Sequence, residues 1–188
     1  MWSGETEPAI APRLVAGYPE SLIQHTRLEI PPMSRFALTI ARFAASAWVG
    51  AAVLFVINGV QQATSGKFES MTTDQLVLLR FPAYYVMGFV LVGAAFLGSA
   101  VSGEFVSFRR RGVILALFGL ALVVMLIDYR VVYLPLAEMI TPPGQARPQG
   151  FQTLHHWSKL INSVDVGLVL LGSVMLCWPS RKVPQPGA

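Results

Sequence analysis

Four long apolar runs, separated by shorter polar stretches, dominate the hydrophobic pattern of this 188-residue chain. The clearest covers residues 81–101 and contains no charged side chain. A helix of that length crosses the roughly 30 Å hydrocarbon core of a bilayer, because each residue adds about 1.5 Å. The other runs cover residues 43–60, 112–127 and 160–178, and each has a charged residue inside it or beside it. The pattern predicts four transmembrane helices, at about residues 36–61, 79–101, 111–136 and 153–178.

Composition supports an all-α integral membrane protein. The chain is 54% hydrophobic and 13% charged, whereas a typical soluble domain has about 25% charged residues. We expect a single domain, a four-transmembrane-helix bundle at residues 35–178, because the chain is too short for a second folded domain. The net charge of +4 is explained by cationic side chains near lipid, so no nucleic-acid partner is expected.

The two ends of the chain differ from the bundle in composition. The first 32 residues contain five prolines and no apolar run long enough for a signal peptide. We expect residues 1–34 and 179–188 to be disordered tails. Met33 precedes a basic-flanked apolar run, which leaves open whether Met1 or Met33 is the natural start.

The distribution of lysine and arginine predicts the orientation, because cytoplasmic segments are enriched in both residues. Nine of the fourteen lie at the end of the predicted bundle that holds both termini, and five lie at the opposite end. The Arg109–Arg111 run is the strongest single signal. We therefore expect both termini in the cytoplasm and a location in the plasma or inner membrane.

Polar side chains within the spans all fall toward the predicted outer side. Ionisable groups at bilayer depth are costly, so they usually face the bundle interior and mark function. On the fourth helix, four polar residues fall within a wedge of about 80° on one face: His155, Ser158, Asn162 and Asp165. Asp165 lies deepest in the membrane of the four. The candidate polar cluster comprises Asn58, Arg80, Asp128, His155, Ser158, Lys159, Asn162 and Asp165.

Two interpretations of this cluster remain open. The aspartates can pair with Arg80, Arg130 or Lys159 in a structural plug that holds the helices in register. Alternatively, the cluster lines an outward-facing cavity. We expect a non-enzymatic protein that binds or transports a small polar solute or ion through this site.

The alternative function is a membrane scaffold or accessory subunit that stabilises a partner complex. Small residues allow close helix approach in membranes, and they leave both a homo-oligomer and a hetero-oligomer open. Such faces are predicted on the first helix, with Asn58 at the end of the face, and on the second helix. The small residues concerned are Ala44, Ala47, Ala51, Gly88, Gly93, Ala94 and Gly98.

The sequence predicts no metal site, cofactor or catalytic residue. His155 and His156 are adjacent, so their rings point about 100° apart on a helix and cannot share one ion. No other span contains a histidine, which argues against a bis-histidine haem. A copper site with a methionine partner is the remaining alternative. The single cysteine excludes an intrachain disulfide.

Several motifs resemble the transmembrane-protein-205-like proteins (domain of unknown function 4149). The segment FQTLHHWSKLIN at residues 151–162 is similar to the opening of that family's last helix, with matching spacing of Leu154, His155, Ser158 and Asn162. AWVGAAVLFVINGVQQ, RFPAYY and IDYRVVYLPLAEMI resemble its first span, the start of its second and the end of its third. The chain departs from the family at His156, where many relatives carry a small residue, and at Gly59-Val60, where several have a proline. The resemblance implies the four-helix architecture rather than a particular activity.

Overall fold

The computed structural model describes residues 32–102 and 106–179, and the regular elements in these ranges are all helices. They are α1 (Pro32–Thr64), α2 (Ser70–Val101), α3 (Phe108–Ile127), a π-helical segment (Asp128–Tyr133), α4 (Leu134–Met139) and α5 (Phe151–Cys177). The third span continues without a break from α3 through the π-helical segment into α4. The prediction of four helices long and apolar enough to cross a membrane is confirmed.

Helix boundaries differ from the predicted ones mainly outside the apolar runs. Helix α2 begins at Ser70 rather than at residue 79. Residues 70–78 contain no glycine or proline that would stop a helix. Helix α1 begins at Pro32, inside the predicted tail, and proline is well suited to a first helical position. The rest of the predicted tails, residues 1–31 and 180–188, lies outside the described residues.

The four spans form a ring in which α1 and α3 each contact both α2 and α5. The largest fully buried side chains include Trp48, Phe118, Val92 and Val169. Many large apolar side chains on the outer faces are exposed, among them Phe43 and Leu97. Such an outer surface suits lipid, because apolar side chains there leave no hydrogen-bonding group unsatisfied.

Glycines bring the helices together at three positions. A Cβ on Gly98 would lie 2.6 Å from the backbone oxygen of Ala37, and one on Gly172 would lie 2.6 Å from the Phe118 ring. Gly88 packs in the same way against Trp48 and Met125. In contrast, a Cβ on Gly93 would have no neighbour within 4 Å. The predicted small-residue face of α2 therefore uses Gly88 and Gly98, but not Gly93.

The two ends of the bundle have different chemistry. The termini end, which holds the start of α1 and the end of α5, is closed by arginines. Arg110 donates through Nε to the Met175 carbonyl at 2.8 Å, and Arg42 donates to the Leu176 carbonyl at 3.2 Å. These bonds satisfy carbonyls in the last turn of α5 that have no partner within the helix. The opposite end, called the distal end here, holds the α1–α2 connection and the α4–α5 loop, and it carries the candidate site.

Candidate functional site

A cavity of about 560 Å³ lies at the distal end, between α1, α2, the π-helical segment, α4 and α5. This volume falls within the range of pockets that hold small organic ligands, about 300–1,000 Å³. Its lining residues all come from the distal half of the spans and from the α4–α5 loop. The cavity is therefore a feature of one end of the bundle.

The π-helical segment positions Asp128 at the cavity wall. Its widened turn is visible where the Leu134 N–H bonds the Tyr129 carbonyl, five residues earlier. Pro135 follows directly and has no N–H with which to continue the regular pattern. Single π-helical turns within α-helices frequently occur at functional sites. Here the segment places the carboxyl of Asp128, which is only 5% exposed, inside the bundle.

Asp128 is only partly satisfied by its neighbours. The Tyr85 hydroxyl donates to Asp128 Oδ2 at 2.6 Å. Asp128 Oδ1 is buried and has no hydrogen-bond partner. An unpaired buried acceptor costs about 1–3 kcal/mol, and more when it is charged. The site therefore contains a buried acceptor whose hydrogen-bonding capacity is only partly used.

A second polar layer lies beside and below Asp128. The Tyr84 hydroxyl donates to Asn162 Oδ1 at 2.5 Å, which links α2 to α5. One helical turn deeper, Asp165 is 3% exposed, and it is near enough to Asp128 for their charges to interact. The Trp48 indole lies close to Asp165, but neither Trp48 Nε1 nor Asp165 Oδ1 completes a hydrogen bond of standard geometry. The interior of the bundle thus holds two carboxyls with incomplete hydrogen bonding.

Aromatic rings form most of the remaining wall. Phe55 stacks on Tyr84 with ring centroids 4.3 Å apart, and Phe81 stacks on Tyr133 at 5.7 Å. Tyr85 packs against Tyr133 at 5.2 Å. All five rings line the cavity, and they come from α1, α2 and the π-helical segment. A ligand in this cavity would meet both ring surfaces and the Asp128 carboxyl.

The cationic side chains of the cavity are mostly engaged. Arg80 Nη1 donates to Gln62 Oε1 at 2.6 Å, and its guanidinium lies 5.0 Å from the Phe55 ring centroid. Arg147 forms an ion pair with Asp74. Lys159 also lines the cavity, and it makes no ion pair with a described residue.

Asp74 fastens the α4–α5 loop over the start of α2. Its carboxyl is 1% exposed and accepts hydrogen bonds from the Gly144 N–H, at 2.9 Å, and from Arg147. Arg147 in turn lies 4.8 Å from the Phe151 ring centroid. Because Arg147 and Phe151 both line the cavity, this contact fixes part of its wall.

Six of the eight sequence-predicted residues line the cavity: Arg80, Asp128, His155, Ser158, Lys159 and Asn162. Asp165 is buried beneath them and does not line it. Asn58 is exposed and lies outside the lining, because the buried face of α1 runs through Ala41, Ala45, Trp48 and Ala52 instead. The predicted ion pairs of Asp128 or Asp165 with Arg80, Arg130 or Lys159 are not formed within the described residues.

Sequence reasoning missed the partners of these residues. Tyr84 and Tyr85 lie inside an apolar run, where they read as ordinary aromatic residues, although buried tyrosine hydroxyls usually need a partner. Asp74 and Arg147 lie in stretches that the apolar pattern does not assign to a span. Asp74 lies near the start of α2 and Arg147 lies in a distant loop, so no sequence pattern indicates that the two residues pair.

Among the described residues, no three His, Cys, Asp or Glu side chains are grouped so as to hold a metal ion. No protein-family model, curated protein or solved structure matches the chain. The class that the fold defines is therefore a helical bundle with four helices apolar enough to cross a membrane. Membership of the transmembrane-protein-205-like family stays a prediction.

Proposed function

We propose that this protein is a multi-pass integral membrane protein that binds a small organic solute in the distal cavity, in a binding or transport role rather than an enzymatic one. The observation that carries the proposal is the buried carboxyl of Asp128, which has one unpartnered oxygen and belongs to a residue that lines a cavity of ligand size. Cavities with an apolar wall and a few convergent polar groups are the usual form of small-molecule sites. The polar group fixes the ligand's orientation, and the rings supply contact area.

The packing below the cavity favours solute binding over transport through the bundle. Trp48 and Phe118 are fully buried there, and Gly88 and Gly172 press against these two rings. A solute that crossed the whole bundle would have to displace this layer. Transport would therefore require a second conformation, whereas binding requires only the arrangement described.

The alternative role as a scaffold rested on small-residue helix faces. Gly88 and Gly98 of these faces pack against other helices of the same chain. The ion-pair plug that would also favour a scaffold is not formed within the described residues. An unpaired carboxyl oxygen adds no cohesion between helices. A role of the Asp128 carboxyl in ligand binding explains this unpaired oxygen better than a structural role does.

For the orientation, we propose that both termini lie in the cytoplasm and that the cavity opens toward the outer side of the plasma or inner membrane. The support is the excess of arginine and lysine in the sequence segments that the positive-inside rule assigns to the cytoplasm. At the termini end, Arg110 and Arg42 donate hydrogen bonds to α5 carbonyls. Arg35 and Arg109 are exposed, so they can lie among lipid headgroups.

Two serine substitutions on α5 test the proposed binding. Ser158 lines the cavity, while Ser163 is exposed on the same helix, so Ser158→Trp fills the cavity and Ser163→Trp leaves it open. The probes are benzyltrimethylammonium, benzyl alcohol and phenylacetate, which share a benzyl body. At least one should raise the thermal unfolding midpoint of the wild type and of Ser163→Trp, but not that of Ser158→Trp. Equal responses of both variants, or no response of the wild type to any probe, would contradict the proposal.

A further inference from the structure

Two acidic side chains are buried in the bundle at the cavity without an ion pair to a described residue. Asp128 is 5% exposed, and Asp165, one turn beyond Asn162 on α5, is 3% exposed. Each has one buried carboxyl oxygen without a hydrogen-bond partner, and neither forms an ion pair within the described residues. Burying a carboxylate is costly unless a cation or several donors compensate it. The interior therefore lacks a positive partner.

The cationic side chains of the cavity do not supply that partner. Arg147 is paired with Asp74. Arg80 donates to the neutral Gln62 and lies over the Phe55 ring, so it keeps its charge, but it is only partly buried. Lys159 is exposed, so water and salt screen its charge much more than those of the buried carboxyls. Among the charged groups near the cavity that have no ion pair within the described residues, Asp128 and Asp165 are thus the most deeply buried.

The aromatic wall adds a second preference of the same sign. The faces of aromatic rings carry partial negative charge and attract ammonium groups within about 6 Å of the ring centre. Five rings of the wall pack against one another, with centroid separations from 4.3 to 5.7 Å for the pairs Phe55–Tyr84, Phe81–Tyr133 and Tyr85–Tyr133. A ligand with an apolar body and a cationic group matches both the rings and the carboxyl.

We propose that the solute bound in the distal cavity is a monovalent organic cation with an apolar body, and that Asp128 is its counter-ion. The proposal rests on the binding function proposed above and specifies its ligand class. Asp128 lines the cavity, so its carboxylate lies beside the cationic group of the ligand and compensates the charge of that group. The rings of Phe55, Phe81 and Tyr84 surround the rest of the ligand. Asp165 adds to the negative potential from below without touching the ligand, because it does not line the cavity.

The test compares the same three probes on the purified full-length protein in lipid nanodiscs by isothermal titration calorimetry. Benzyltrimethylammonium is cationic, benzyl alcohol is neutral and phenylacetate is anionic. For the wild type we expect the cation to bind about ten-fold or more tightly than either of the others. Asp128→Asn should weaken binding of the cation by about ten- to hundred-fold and change that of benzyl alcohol little. Glu138→Gln, which removes an exposed carboxylate on α4 outside the lining, is the matched control and should bind like the wild type.

The outcomes separate this proposal from the one on which it rests. Binding of phenylacetate or benzyl alcohol at least as tight as that of the cation, if abolished by Ser158→Trp, would overturn the cation proposal and leave the binding function intact. Failure of all three probes to bind the wild type would overturn both. The ranking of probes on the wild type decides the question even if Asp128→Asn does not fold. Asp128→Glu, which retains the negative charge, should keep the preference for the cation.

Discussion

At the scale of single residues, the surroundings of Asp165 differ most from those expected. The sequence suggested a cationic partner, but the carboxyl lies beside the Trp48 indole and forms no ion pair within the described residues. Its burial without a cationic partner is therefore a cost to folding rather than a link between helices. Such costs are common at functional sites, where stability is lost for the sake of binding.

Asp165→Asn should consequently stabilise the detergent-solubilised protein, by about 1–3 kcal/mol. The amide has the same shape, is neutral, and costs less to bury than a carboxylate without a counter-ion. Thermal unfolding measures the change, and Glu138→Gln at an exposed position should have no measurable effect. A marked loss of stability in Asp165→Asn would mean that the carboxylate has a compensating partner after all.

Arg109 and Arg110 also differ although they are adjacent and equally charged. Arg110 donates to the Met175 carbonyl and, at 2.5 Å, to the Trp178 carbonyl. Arg109 is exposed and has no hydrogen bond or ion pair with a described residue. Their charges count equally for membrane orientation, but only Arg110 stabilises the end of α5.

We therefore expect Arg110→Gln to destabilise the protein by about 1–2 kcal/mol, and Arg109→Gln to leave its stability unchanged. Both variants remove the same charge from the first turn of α3, so a difference between their unfolding midpoints isolates the contribution of the α5 cap. Equal midpoints would indicate that the carbonyls of α5 find other donors.

At the scale of helices, glycine positions decide how closely α1 and α2 approach. Gly98 faces the Ala37 backbone and the Ala41 side chain, whereas Gly93 faces open space on the same helix. Backbone atoms cannot rotate away as a flexible side chain can. An added methyl group at Gly98 must therefore push the two helices apart.

Gly98→Ala should destabilise the bundle by about 1–3 kcal/mol through overpacking. Gly93→Ala should be neutral or slightly stabilising, because alanine favours the helix by up to about 1 kcal/mol over glycine. Thermal unfolding of both variants under identical detergent conditions gives the comparison. A stable Gly98→Ala protein would show that α1 and α2 are packed more loosely than described.

At the scale of the whole molecule, the distal cavity and the arginine-closed termini end give the bundle a polarity along its axis. The cavity collects its polar lining from α1, α2, the third span and α5. For the proposed binding function, the direction of this axis in the membrane would determine which compartment supplies the solute. The excess of arginine and lysine in the sequence segments predicted to be cytoplasmic favours a cavity that opens outward.

Single cysteines test this orientation after the native Cys177, which is exposed, is replaced by serine. Cysteines at Ser65 and Gln145 at the distal end should react with a membrane-impermeant maleimide in intact cells, and one at Ser107 should not. All three positions are exposed, so permeabilised cells should label each and serve as the control. Labelling of Ser107→Cys alone in intact cells would reverse the orientation.

The sequence by itself determined the number of spans, and it placed the polar residues of the spans toward one end. Both follow from local composition, since an apolar run long enough to cross a bilayer needs no information about its neighbours. The face of α5 that carries His155, Ser158 and Asn162 also follows from helical periodicity alone. Six of the predicted cluster residues line one cavity for these reasons.

Only the tertiary structure decided which side chains meet. The rotation of α1 about its axis turned Asn58 outward and Trp48 inward, although both lie in the same apolar run. Tyr85 meets Asp128 across 43 positions of the chain, and Asp74 meets Arg147 across 73. Such contacts depend on how whole helices pack. The sequence around each of the two contacting residues has no local pattern that predicts its partner. The unpaired oxygen of Asp128 likewise exists only once the neighbouring spans have excluded water and other donors from it.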